Sequence, residues 1–190
     1  MTRFNKTMLA AVLGVVSLVG AVSSTAEAQV GRSRLRLGLQ GDVGGIQNTD
    51  AGFGVGMTGQ LGIQHNRLFA TYYQPRFFAG GYVDGNSSGG IVAIYNTFMF
   101  NLTFANVFEI GLGPSLDLGV ANVCPERRSN GNCDGFGGVF FGSDFRLAVV
   151  IGGGRDDRRG GFVIAFHSHP TWIGNHSIAT FTLGFGFQFY

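Results

Sequence analysis

Large apolar residues recur at every second position through most of this chain. In the final stretch Phe181, Leu183, Phe185, Phe187 and Phe189 share one face, while Thr180, Thr182, Gly184, Gly186 and Gln188 share the other. A period of two is that of a β-strand, whose side chains point alternately to opposite sides. Over 34–44, Leu35, Leu37, Leu39 and Val43 oppose Arg34, Arg36, Gln40 and Asp42. Over 52–64, Phe53, Val55, Met57, Leu61 and Ile63 oppose three glycines, Thr58, Gln60 and Gln64. The cleanest segment is 108–120, where Phe108, Ile110, Leu112, Leu116, Leu118 and Val120 oppose Glu109, Gly111, Gly113, Ser115, Asp117 and Gly119. Over 139–151, Phe141, Phe145, Leu147, Val149 and Ile151 oppose Asp144 and Arg146. Over 161–169, Phe162, Ile164 and Phe166 oppose Val163, Ala165, His167 and His169.

Two segments alternate less cleanly. In 68–79, Phe69, Tyr73 and Phe77 oppose Tyr72, Gln74 and Arg76, and Pro75 predicts a bulge because it cannot donate to a ladder. In 92–104, Asn96 interrupts an otherwise apolar face. With 177–190 the count is eight strands. The connections are a short loop at 46–50, turns at 65–67 and 105–106, Gly- and Ser-rich or polar loops at 80–90, 121–138 and 153–160, and a turn over 170–175. An even number of antiparallel strands closes an up-and-down barrel with both ends on one side.

The distribution of charge decides which face looks outward. The apolar faces of the first, second, fifth, sixth and eighth segments carry no charged residue, and the opposite faces carry Arg34, Arg36, Asp42, Glu109, Asp117, Asp144 and Arg146. A soluble ligand-carrying barrel has an apolar lumen and a polar exterior. The inverse arrangement fits lipid outside, where an Arg at mid-bilayer costs about 2–4 kcal/mol. The fold expected is therefore all-β: an eight-stranded antiparallel up-and-down transmembrane β-barrel over 29–190.

Residues 1–28 fit a signal peptide. Arg3 and Lys6 precede a 15-residue apolar run at 8–22, and Ala26-Glu27-Ala28 places small residues where a signal peptidase cuts. The run is shorter than the roughly 20 apolar residues that span a bilayer. Sec-type export and a mature chain starting at Gln29 follow. The mature part holds 162 residues with 11 Arg, no Lys and 10 acids. The arginines are scattered among acids, so nothing points to nucleic acid. Across the whole chain 33 Gly and 19 Phe, with no helix-period stretch, reinforce the barrel reading. Cys124 and Cys133 bracket a turn-rich loop and suit an exported chain. A disulfide there contributes on the order of 2–3 kcal/mol by restricting the unfolded loop. Two cysteines alone do not make a zinc site.

The leader, the alternating strands and the aromatic terminus together resemble small Gram-negative outer-membrane barrels of the OmpA or OmpX transmembrane type. The resemblance spans 34–190 and rests on pattern rather than motif. It implies outer-membrane localisation, outer-membrane lipid around the barrel, and barrel assembly machinery as a partner during insertion. In such families the terminal aromatic lies in phase with the outward residues. Here Phe187 and Phe189 are in phase and Tyr190 is one residue beyond, so the assembly signal comprises Phe187, Phe189 and Tyr190 with Phe189 as its key residue.

A bore of eight strands is wide enough only for side chains to fill. Arg34, Arg36, Glu109, Asp117, Asp144, Arg146, His167 and His169 are therefore expected to form a polar lumen network. A narrow ion path is the sharper alternative. His167 and His169, with His176 nearby, have the spacing of a metal-binding pair on one strand face. The segment is also similar to lipid A deacylases built on such barrels, which use a His and a Ser two residues apart with a downstream Glu. Here Ser168 lies between the histidines and no Glu follows His176, so that pattern is unmatched. The expected role is non-enzymatic and without cofactor or metal, structural or surface-interacting, with an extracellular partner met through 80–90 and 121–138. A small channel is the alternative, and a lipid-modifying enzyme comes third. The register of the last strand yields a test. Phe189→Ala is expected to reduce the heat-modifiable folded band on a gel more than deletion of Tyr190 does, and the reverse order would overturn it.

Overall fold

The computed structural model describes residues 33–47, 51–84, 87–125, 134–152, 160–174 and 176–190. The leader at 1–28 and Cys133 lie outside these residues, and of Cys124 only the backbone in its strand is described. Eight strands follow in order: β1 (Arg34–Gln47), β2 (Ala51–Gln64), β3 (Phe69–Asp84), β4 (Ser87–Phe104), β5 (Phe108–Pro125), β6 (Asp134–Ile151), β7 (Gly160–Ile173) and β8 (His176–Phe189). Each pairs antiparallel with the next, and β1 pairs with β8 to close the barrel.

The alternation read from the chain is the alternation found. Leu35, Phe53, Phe77, Phe98, Leu116, Phe141, Phe166 and Phe187 are exposed on the outer surface, while Arg36, Gln40, Thr58, Gln74, Asp144 and Gln188 are buried inside. No charged side chain among the described residues stands on the outer face of a strand. Asn96 does face outward, and the sheet itself satisfies it. Tyr73 Oη donates to Asn96 Oδ1 (2.5 Å), and Asn96 Nδ2 donates to the Leu116 carbonyl (3.1 Å). Tyr72 faces inward.

The prolines behave differently from expectation. Pro75 forms no bulge. It pairs with Asn96 of β4, and β2 and β3 keep one register on either side of it, from Thr58↔Arg76 to Leu61↔Tyr73. Pro114 and Pro170 do the same, with pairing absent beside them on one flank and the register unchanged. A missing N–H removes a bond from one ladder only, and the opposite strand holds the chain straight. Pro170 is therefore inside β7, which continues to Ile173 and turns at Gly174 (φ 59°).

The strands also run further than the alternation alone indicates. The loop expected at 80–90 is mostly ladder, up to Asp84↔Ser87, and β5 and β6 remain paired up to Val123↔Asp134. Glycine and serine are poor strand formers, but a hairpin already in register extends through backbone hydrogen bonds alone. The four strands β3 to β6 hold 16, 18, 18 and 18 residues, against 14 for each of the others. One side of the barrel thus rises as a wall above the other. At the opposite end the turns are tight. Asn66 Oδ1 accepts from the amides of Leu68 and Phe69 (both 2.8 Å). Residues 105–107, one more than expected, link β4 to β5 with Ala105 (φ 48°) and Asn106 (φ 59°) left-handed.

The closing seam depends on close backbone approach. A Cβ at Gly44 of β1 would fall on the Phe181 carbonyl oxygen of β8, whereas one at the outward Gly41 would meet nothing within 4 Å. Gly44→Val is expected to abolish the heat-modifiable folded species, and Gly41→Val to leave it intact. Equal behaviour of the two variants would refute this account of the seam.

Candidate functional site

The bore is a column of charged and polar side chains contributed by all eight strands. Near the end where β1 begins and β8 finishes, Glu109 at the start of β5 sits between two guanidinium groups. Arg36 Nη2 lies 2.7 Å and Arg146 Nη1 2.6 Å from Glu109 Oε2, and Gln188 Nε2 donates to Oε1 (2.8 Å). Tyr72 and Tyr190 lie on the Arg36 guanidinium, with ring centroids 4.6 and 5.3 Å away. The one-residue offset of Tyr190 thus takes it to the lumen side of the seam, while Phe187 and Phe189 are exposed on the outer surface. Arg34 is half-buried at the first position of β1.

Halfway along, Asp144 pairs with Arg76 and accepts from Gln74 Nε2 (3.0 Å). His167 Nδ1 lies 3.3 Å from Arg76 Nη2 and 3.4 Å from Asp144 Oδ1. His169 is next on the same face. Its Nε2 donates to Asp117 Oδ2 (3.0 Å), and its ring packs on Tyr95 with centroids 4.0 Å apart. Thr171 Oγ1 donates to the same Asp117 oxygen (2.6 Å). Across the bore the Thr58 hydroxyl donates to Asp42. Ile46, Phe78, Ala93 and Tyr95 then form an apolar cluster over part of the far mouth, packed against Ile91 and Ile178.

The expected network is therefore two clusters. Arg36, Glu109 and Arg146 form one, and Asp117, Asp144, His167 and His169 belong to the other. Residues left out of the expectation complete it: Arg76 and Gln74 around Asp144, Gln188 on Glu109, and the Asp42–Thr58 pair. The alternation already put Arg76 on the inner face, and an inward Asp144 called for a cation. What was lacking was the knowledge that β3 and β6 face each other across the bore. The inward glycines serve these large neighbours. A Cβ at Gly54 would strike the Phe78 ring, and one at Gly142 would strike the Asp117 carboxylate.

His167 and His169 do not share a face with Ser168. Ser168 has the outward parity of its strand, opposite to the buried His167 and His169. Among the described residues no group of three or more His, Cys, Asp and Glu is placed to hold a metal ion. His176 opens β8 and is described only in its backbone.

No family model matches the chain, and no curated protein matches it in sequence. Solved structures do match in fold. Ail, the attachment invasion locus protein of Yersinia pestis, crystallised with the heparin analogue sucrose octasulfate, superposes with a TM-score of 0.52 at 10% identity, over 81% of this chain and 97% of Ail. Neisserial surface protein A gives 0.52 at 8% identity, over 82% and 97%. The N-terminal β-barrel domain of Pseudomonas aeruginosa OprF gives 0.50 at 10% identity, over 82% and 99%.

Removing one partner from a buried ion pair leaves an uncompensated charge and costs about 3–5 kcal/mol. Glu109→Gln strands both Arg36 and Arg146. It is expected to lower the unfolding free energy of the detergent-folded barrel, measured by urea titration, by about 3–5 kcal/mol, and an unchanged value would show that the triad contributes nothing to stability. The chain has the fold of the small eight-stranded outer-membrane barrels.

Proposed function

We propose that the chain is an integral outer-membrane barrel, non-enzymatic, whose raised wall of β3 to β6 presents a binding edge to an extracellular polypeptide. The membrane reading is supported by the continuous belt of exposed Phe, Leu, Ile and Val around the whole barrel. Such a belt far exceeds the apolar patches that soluble monomers expose to water. About 9–11 residues of tilted strand suffice to cross a bilayer, so strands of 16 to 18 residues project well beyond it. Localisation after Sec-type export, insertion by assembly machinery and the assembly-signal role of Phe187, Phe189 and Tyr190 belong to the same reading. So does the Cys124–Cys133 disulfide, which would tie the tip of the wall.

The observation that carries the binding role is the outer part of β6. Residues 134–140 pair with β5 on one side, from Val123↔Asp134 to Asp117↔Phe140. On the other side β7 pairs only as far as Phe141↔Trp172, and among the described residues nothing continues the ladder. Gly137, Gly138 and Val139 are exposed. Edge strands that must stay single carry Lys, Pro or bulges. This one carries none and ends in an acid, Asp134. Its unpaired amides and carbonyls suit an extended peptide added as a further strand.

A conducting pore is the less favoured reading. The buried ion pairs fill the bore, and Ile46, Phe78, Ala93 and Tyr95 cover part of its mouth. Planar bilayers are accordingly expected to show no steady conductance. Hydrogen exchange followed by NMR in detergent tests the edge: alternate amides over 134–140 should exchange freely while those over 142–150 stay protected. Uniform protection would remove the open edge, and recovery of the mature chain in the soluble periplasmic fraction would remove the membrane reading.

A further inference from the structure

We infer that the outer mouth of the barrel holds a recognition site for a primary ammonium group on a slender alkyl stem. This goes beyond the edge-strand reading and does not depend on it. The site is the part of the mouth left open beside the apolar cluster. Its walls are Ile91, Ala93, Phe140, Ile173 and Ile178, and its floor is Asp117 with Thr171. The free space amounts to about 20 Å³, room for one water-sized head group.

Three features select a cation. Asp117 is 1% exposed, yet its Oδ1 has no hydrogen-bond partner among the described residues. A buried carboxylate oxygen without a donor is costly, and a charged N–H donor satisfies it best. Glu109 and Asp144 are paired with guanidinium groups, and Asp42, whose Oδ1 is likewise unpartnered, meets the Thr58 hydroxyl away from this space. The hydrogen bonds that Asp117 accepts come from the His169 ring and the Thr171 hydroxyl, both on Oδ2. Among the described residues four carboxylates and three guanidiniums are fully buried, and Arg34 is half-buried at the opposite end of the bore.

The walls select the rest of the ligand. They are almost wholly apolar, which suits methylene groups. The rings of Tyr95 and Phe140 line the same space. Gly119 and Gly142 keep the floor open. A Cβ at Gly142 would fall on the Asp117 carboxylate, while one at Gly119 would have no neighbour nearer than 3.9 Å. The ligand chemistry is that of a free alkylamine or of a lysine side chain on a partner polypeptide.

The test is an NMR titration of the full barrel folded in detergent with pentylamine, against 1-pentanol as the uncharged control. The expected result is a saturable shift of the Gly119 and Thr171 amides with pentylamine only. Asp117→Asn is expected to weaken it at least about tenfold, the loss of a charge-assisted hydrogen bond. Should that variant fail to fold, Gly119→Leu serves instead: it fills the space without touching the Asp117 contacts and should abolish the shift. Nα-acetyl-lysine amide shifting the same residues identifies a partner's lysine as the natural source, and its failure beside a positive pentylamine result identifies a free amine. No saturable shift in the wild type, an equal response to 1-pentanol, or full binding by Gly119→Leu would overturn the inference.

Discussion

Closure of β1 on β8 is the interaction on which the other features rest. A sheet that crosses a lipid layer must satisfy every backbone donor and acceptor within itself, and only a closed ladder does so. Eleven residue pairs make the seam, from Leu37↔Phe189 to Gln47↔Ala179. Once it is made, the parity of each strand is committed: one residue of slip would turn a strand's outward apolar residues inward and its inward charges outward. Glycines at the seam follow from the same demand, since Gly44 and Gly186 lie where a Cβ would strike the facing strand's carbonyl oxygen.

Closure also accounts for the interior. Eight strands leave a bore that side chains must fill, and the inward parity supplies polar ones. Charges placed there are tolerable only as neutralising sets, so Glu109 takes two guanidiniums and Asp144 takes Arg76. Such pairs are a weak source of net stability, because desolvation consumes much of the Coulomb gain. Their consequence is specificity: each tests the register of strands that are distant in sequence. Arg36 and Glu109 are 73 residues apart, and Arg36 and Gln188 are 152 apart. Above the apolar belt the demand for closure lapses, and there β6 leaves its outer edge open while Asp117 keeps an unsatisfied oxygen beneath an apolar mouth. Both lie at the outer end of the barrel.

Much of this was legible from the chain because a period of two assigns each side chain to a face without knowledge of its neighbours. The strand count, the apolar exterior, the inward position of Arg36, Glu109, Asp117, Asp144, Arg146, His167 and His169, and the odd phase of Tyr190 all follow from it. Local chemistry was a poorer guide. Pro75 suggested a bulge and Pro170 a turn, yet each is held in line by the strand that still bonds to it. The glycines and serines of 80–90 suggested a loop, yet the ladder runs through nearly all of them.

What the sequence determined by itself is therefore one-dimensional: which residues share a face, and that the charged face must be hidden. The tertiary structure decided which hidden residues meet. Arg76 finds Asp144 because the barrel sets β3 across from β6, and His169 finds Asp117 because β5 and β7 flank β6. The unequal heights of the hairpins, the bare edge of β6 and the pocket over Asp117 arise only when the strands are staggered around a closed ring. Alternation along a strand carries no information about the partner across the bore.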